Sequence, residues 1–176
     1  MLKKPDIFPM SKVRLPKTKH RKLVIFDLDE TLVHCVEDVN TPFDLPIEVQ
    51  NGLEVVKAGI NIRPYAYQCL KEARNNYQVV IFTASHKSYA DVVIDKLENE
   101  FRKLTYLTQS EMDLYKNKPA ALKKMKQSQK LIDYRMYRDN CYKTSEGLHI
   151  KDLRVIEGVN LYETIIVDNA VHSFGF

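Results

Sequence analysis

Three short apolar runs constrain this chain more than any other feature. Lys22-Leu23-Val24-Ile25-Phe26 leads into Asp27, Gln78-Val79-Val80-Ile81-Phe82 into Thr83, and Glu163-Thr164-Ile165-Ile166-Val167 into Asp168 and Asn169. Each run is rich in β-branched and aromatic residues, as buried strands are. Helical patterns lie between them. Arg63-Pro64 opens one that ends at Asn75-Asn76. Ser85 is placed to cap a second, over Lys87 to Glu98, with Tyr89, Val92, Val93 and Leu97 as its core stripe. Buried strands separated by helices predict an α/β fold: a doubly wound, mostly parallel sheet flanked by helices. Tyr134 to Arg138 is a further candidate strand.

Residues 43–62 depart from that pattern. They alternate weakly around Asn51-Gly52, a hairpin signal, which predicts small antiparallel strands at 46–50 and 53–57. Residues 1–21 read as a basic arm in which Pro5, Pro9 and Pro16 oppose a helix. Residues 99–133 read as a lysine-rich insert. The remaining chain, 22–176, makes one domain, in keeping with 176 residues.

In open parallel sheets, ligands bind beyond the carboxyl ends of the strands. Asp27, Thr83 and Asp168-Asn169 are therefore expected to meet at one edge. The first group carries the most chemistry. In Asp27-Leu28-Asp29-Glu30-Thr31, a carboxylate at the strand end can attack phosphorus and form an acyl phosphate. Two anions repel, so the attack needs a hard cation, and Mg²⁺ suits oxygen ligands and phosphate oxygens. A second carboxyl group must protonate the leaving oxygen and then activate water. Asp27 and Asp29, two residues apart, can divide these duties.

KLVIFDLDETLVH resembles the signature of the haloacid dehalogenase superfamily, in the branch of phosphatases acting on the C-terminal domain (CTD) of RNA polymerase II. INIRPYAYQCL, VVIFTASHKSYADVVIDKL, YRDNCY followed by KDL, and IIVDNAVHSF resemble that branch's later motifs, in its order. The resemblance spans about residues 22–176, least well over 99–133. It implies a Mg²⁺-dependent protein serine/threonine phosphatase whose partner is a phosphoprotein. Asp27 would be nucleophile and metal ligand. Asp29 would be general acid/base and bind metal through its carbonyl. Asn169 would complete the metal site beside Asp168. Thr31, Thr83, Arg138 and Lys151 would hold phosphate or substrate. No role follows for His34, His86 or His172.

Three departures qualify the resemblance. The 99–133 segment is long. Ile47 and Val49 fit the apolar wall that receives a proline beside phosphoserine, but Glu37 and His86 stand where apolar groups are expected. The chain also stops at Phe176, where the family normally adds a strand and a helix. Alternatives are a small-molecule phosphatase or a catalytically silent binding module of the same fold.

Composition narrows the remaining classes. The chain is 44% hydrophobic and 28% charged, with a net charge of +4. No run approaches the roughly 20 apolar residues of a membrane span, and no signal-peptide core opens the chain. Cys35, Cys69 and Cys141 are far apart and read as free thiols. Together these predict an intracellular protein, nuclear or cytoplasmic. Basic residues cluster over 3–22 and again at Lys116, Lys118, Lys123, Lys124, Lys126 and Lys130. Few aromatics interleave them, which argues against nucleic acid as a partner. No feature reports oligomeric state.

Overall fold

The computed structural model describes residues 12–104 and 130–174. The outer part of the basic arm, the lysine run from Lys116 to Lys126 and the last two residues lie outside them. Four parallel strands form the central sheet, in the order β6-β5-β1-β9: β1 (Lys22–Phe26), β5 (Tyr77–Phe82), β6 (Tyr134–Met136) and β9 (Thr164–Val167). The three apolar runs are β1, β5 and β9, so the expected α/β architecture is present.

A three-stranded antiparallel sheet, order β2-β4-β3, stands beside it. It contains β2 (Val33–Val36), β3 (Leu45–Asn51) and β4 (Glu54–Ile62). The hairpin is longer than expected, and its turn is one residue later. Asn51 pairs with Glu54, so the loop is Gly52-Leu53. Gly52 has φ 62°, the left-handed region that a tight hairpin needs at its first loop position. Gly59 serves another purpose. A Cβ there would stand 2.2 Å from the Phe43 ring, so only glycine lets that ring lie on β4.

The edge strand β9, expected to be buried, leaves Ile165 47% and Val167 39% exposed because it has a strand neighbour on one side only, whereas β1 and β5 are buried on both faces. On one, Val24, Phe26, Val79 and Ile81 meet helix α1 (Ala66–Asn76), helix α2 (Lys87–Leu104) and the hairpin residues Ile47, Ala58 and Ile60. Ile47 is 1% exposed, which removes it from any surface wall for a substrate proline. On the other face, Leu23, Ile25, Val80 and Phe82 meet Met136, Cys141, Val155, Ile156 and Val13. Short 3₁₀ turns cover this face, including Arg138–Asn140 and Leu153–Val155, rather than a long helix. The arm joins it too. Val13 N–H donates to the Val155 carbonyl at 2.8 Å, and Glu157 N–H to the Val13 carbonyl at 2.8 Å.

Helix α2 runs six residues past its expected end at Glu98. Phe101 is buried and continues the stripe of Val93, Ile94 and Leu97. Glu98 itself is 4% exposed, and its carboxylate accepts the backbone N–H groups of Leu131 and Ile132 at 3.1 and 3.3 Å. Arg135 donates to it at 3.1 Å and also reaches Asp91 and Asp95. Glu98 thus ties the chain entering β6 to α2. Leu131 and Ile132 are core residues, so 131–133 belongs to the domain and not to an insert.

Removing Glu98 strands two buried N–H groups and takes one of three carboxylate partners from Arg135. Glu98→Ala is expected to lower unfolding free energy by about 2–4 kcal/mol, whereas Glu100→Ala, a solvent-side pair with Lys103, changes it by less than about 0.5 kcal/mol. Urea unfolding of the two variants checks both values.

Candidate active site

The strand ends do converge. Asp27, Asp29, Thr83, Arg138, Lys151, Asp168 and Asn169 line one open cleft of about 330 Å³ at the carboxyl edge of the sheet. Parallel pairing puts them there. β1 pairs with β5 on one side and β9 on the other, with Phe26 opposite both Ile81 and Val167. Asp27 N–H continues the ladder by donating to the Val167 carbonyl at 2.9 Å.

A buried lysine occupies the floor. Lys151 Nζ donates to Asp27 Oδ1 at 2.5 Å and to Asp168 Oδ2 at 2.6 Å. The side chains of Lys151, Asp27 and Asp168 are 2%, 8% and 1% exposed. The backbone holds both ends of the bridge. Lys151 N–H donates to the Ser173 carbonyl, and Ala170 N–H to Asp168 Oδ1. Burial pushes the Asp27 carboxyl up from its ordinary value. The Lys151 ammonium pulls it down, and the nearby Asp168 charge adds to the upward push.

The motif loop is locked from outside the cleft. Glu30 adopts φ 60°, and its N–H donates to the Val33 carbonyl. Arg63 donates through Nε to the Thr31 carbonyl at 2.6 Å and through an η nitrogen to the Glu30 carbonyl at 2.7 Å. The Arg-Pro signal therefore marks a clamp on the loop as well as a helix start. Thr31 stands behind Asp27. Its hydroxyl lies 3.2 Å from Asp27 Oδ2 and 3.5 Å from Asn169 Oδ1, and it is not among the cleft-lining residues.

Asp29 turns away from Lys151 toward the β5–α2 turn. Its Oδ2 accepts from the Ser85 hydroxyl at 2.7 Å and lies 3.5 Å from the Thr83 hydroxyl. Its Oδ1 accepts from the Tyr89 hydroxyl at 2.7 Å. Burial, then the hydrogen bond to Asp29, push the Tyr89 phenol far up, so it stays protonated and donates. Sequence periodicity assigns Tyr89 to the core stripe because a helix pattern shows which face a ring lies on and not where its hydroxyl ends. Ser85 is likewise no cap. The His86 carbonyl accepts the first helical N–H, from Ala90, at 3.0 Å, which leaves the Ser85 hydroxyl for Asp29.

Arg138 crosses the rim. Its Nε donates to the Ala84 carbonyl at 2.6 Å and an η nitrogen to His86 Nε2 at 2.7 Å. That bond requires an unprotonated Nε2 on His86. His149 lines the same rim. Burial, then Arg138 and Lys143, hold its imidazole below the ordinary value.

The donor set suits a hard divalent cation. Two carboxylates face one ammonium, which leaves an excess negative charge in a buried place. The Asn169 amide also lines the cleft. Among the described residues no three His, Cys, Asp or Glu side chains cluster as a closed metal cage. A pair of carboxylates with neutral oxygens and open positions is how Mg²⁺ is usually held, because it keeps several waters.

A sequence profile described as NLI interacting factor-like phosphatase matches residues 22–126 and 114–176. The chain belongs to this family. A probable C-terminal domain small phosphatase of Dictyostelium discoideum is 29% identical over 170 residues, covering 96% of this chain and 45% of that protein. A CTD nuclear envelope phosphatase 1B of Danio rerio is 32% identical over 177 residues, covering 96% of this chain and 60% of that protein. The chain thus spans less than two thirds of these relatives' length. A fission yeast RNA polymerase II CTD phosphatase bound to beryllium fluoride shares the fold, with a TM-score of 0.54 at 20% identity, over 88% of this chain and 38% of that one. Among the described residues no helix is long and apolar enough to cross a membrane.

The three thiols of this family member differ sharply in setting. Cys69 is exposed, Cys35 half-buried and Cys141 buried. Burial pushes the Cys141 thiol up to about 12. Only thiolate alkylates readily. Iodoacetamide at pH 8 should therefore label Cys69 first and leave Cys141 unmodified until the chain is unfolded. Peptide mass spectrometry reads the order.

Proposed function

We propose that this chain is a Mg²⁺-dependent protein phosphatase for phosphoserine and phosphothreonine, working through an aspartyl phosphate on Asp27. The observation that carries the proposal is the buried Lys151 ammonium between the Asp27 and Asp168 carboxylates at the floor of an open cleft. Phosphoryl transfer is catalysed mainly by positioning and charge stabilisation. A buried cation beside a strand-end carboxylate supplies both.

The geometry supports the following steps. An Asp27 oxygen attacks phosphorus, and the bond from phosphorus to the substrate's hydroxyl oxygen breaks. Asp29, protonated for this step, gives its proton to the departing oxygen. Asp29 then takes a proton from a water that attacks phosphorus, the bond to Asp27 breaks, and phosphate leaves. Lys151 orients Asp27 and offsets charge on the phosphoryl oxygens. Thr31 holds the other Asp27 oxygen, Thr83 offers a hydroxyl to the phosphate, and Arg138 positions the substrate at the rim. Tyr89 and Ser85 hold Asp29 as it exchanges its proton. Asp27, Asn169 and the Asp29 carbonyl would hold Mg²⁺, which screens the attack of one anion on another.

The open mouth of the cleft favours a phosphorylated side chain on a polypeptide over an enclosed metabolite. The relatives' names point the same way, because two describe phosphatases of a C-terminal domain or CTD. The tail of RNA polymerase II is therefore a candidate substrate. With Ile47 in the core, an adjacent proline has less apolar wall to rest on, and the chemistry does not depend on it.

Hydrolysis of p-nitrophenyl phosphate should require Mg²⁺, stop with EDTA and fall at least about a thousandfold in kcat in Asp27→Asn. Phosphoserine peptides should exceed glucose 6-phosphate in kcat/KM by at least about tenfold. The reverse preference would assign a small-molecule phosphatase. A folded but inert protein would assign the silent binding module.

Tyr89→Phe removes one hydrogen bond to Asp29 and leaves the cleft lining intact. It should lower kcat by about tenfold, equivalent to about 1.4 kcal/mol, with KM within about twofold. Steady-state kinetics with Mg²⁺ saturating check this. A change in KM alone would mean that Tyr89 contacts substrate instead.

A further inference from the structure

A second cavity lies at the opposite end of the sheet. It is about 950 Å³ and is lined by residues 16–20, the C-terminal half of α1 and residues 130–133. β1 separates it from the cleft by about 16 Å, taking about 3.3 Å for each of five residues. Lys17, Lys19, Lys71, Arg74 and Lys130 line it, and among the described residues Asp133 is the one carboxylate that does.

The charge of Asp133 is already committed. One oxygen accepts from Arg74 at 3.0 Å and the other from Val79 N–H at 3.0 Å. Among the described residues, no acidic side chain comes within ion-pairing distance of Lys17, Lys19 or Lys71. The wall carrying Lys17 and Lys19 is fixed. The Gln78 amide, buried at the start of β5, donates to the Pro16 carbonyl at 2.9 Å, and Val13 bridges to Ile156. The arm and α1 therefore bring Lys17, Lys19 and Lys71 to one groove beside Lys130, which donates to the Asp133 carbonyl at 3.4 Å, and these cations repel one another until an anion enters.

We propose that this groove docks an acidic segment of a partner protein, in which carboxylates or phosphorylated side chains meet Lys17, Lys19, Lys71 and Lys130. The size of the groove is at the upper end of small-ligand sites, and the residues lining it are mostly charged or polar where such sites are lined mostly by apolar ones. An extended chain fits it better than a compact metabolite. Among the described residues no Phe, Tyr or Trp lines it, so they offer no stacking platform for the bases of a single-stranded nucleic acid. This assignment does not depend on the catalytic one.

The test uses the full chain and a fluorescein-labelled decaglutamate peptide, with binding read by fluorescence anisotropy at low and at raised salt. The peptide should bind at low salt and weaken as salt screens the groove. Lys17→Glu with Lys71→Glu should weaken it by at least about tenfold, the loss expected when two attractive contacts of an ion cluster become repulsive. The milder pair Lys17→Gln with Lys71→Gln should fall between. Hydrolysis of p-nitrophenyl phosphate should stay unchanged in both pairs, because neither lysine touches the cleft. A control pair on the outer face of α2, Lys96→Glu with Lys103→Glu, should bind as the unaltered chain does. Absence of binding at low salt, or equal loss in the control pair, would overturn the proposal. So would tighter binding of a decameric single-stranded RNA that the groove variants abolish, which would make the occupant a nucleic acid. A chain that binds the peptide but hydrolyses nothing would sink the catalytic proposal and leave this one standing.

Discussion

The Lys151 ammonium between Asp27 and Asp168 is the interaction on which the rest of the structure depends. Its two bonds join residues 124 and 17 positions apart in sequence. They can form only if β1 and β9 are neighbours and the loop before Leu153–Val155 folds back over their ends. A buried lysine alone would be strongly unfavourable, and so would two buried carboxylates facing each other. Together they are tolerable, and one negative charge is left over. That remainder would suit the divalent cation that the proposed mechanism calls for. Removing Lys151 would leave two buried carboxylates without a counter-charge, at a cost to stability.

Around this core the fold acts as a clamp on two neighbouring carboxylates. Arg63, reaching in from ahead of α1, fixes the loop carbonyls of Glu30 and Thr31. Tyr89 and Ser85 hold Asp29 at the other side of the cleft from Lys151. Two carboxyl groups two residues apart thereby receive different surroundings. One is buried on an ammonium, and the other is held by neutral hydroxyls. That difference is what the proposed division of labour, attack on phosphorus by one and proton transfer by the other, would require.

The central architecture was legible because parallel strands buried on both faces must be continuous apolar runs. Asp27, Thr83 and Asp168 directly follow the last apolar residue of each run, so they mark the strand ends. Lys151 was legible only through its family motif, since a lysine in a polar loop carries no mark of burial. Tyr89, Ser85 and Arg63 were read as helix features. Each lies on a helix or just before one and acts through a polar tip whose direction periodicity does not encode. β2 (Val33–Val36) escaped because its four residues alternate too briefly to stand out from the motif loop. Glu98 looked like a helix end, because burial of a carboxylate depends on N–H groups more than thirty residues away. The hairpin turn moved by one residue because Gly52, rather than Asn51, takes the left-handed position.

The central claim is that phosphate passes through Asp27. Turnover of p-nitrophenyl phosphate can be quenched with acid and the protein reduced with borohydride, which converts an aspartyl phosphate to homoserine. Peptide mass spectrometry then locates the change. Homoserine at position 27, absent without substrate and in Asp27→Asn, is the predicted result. An active enzyme with Asp27 unaltered, or with the change at Asp29 or Asp168 instead, would contradict the account.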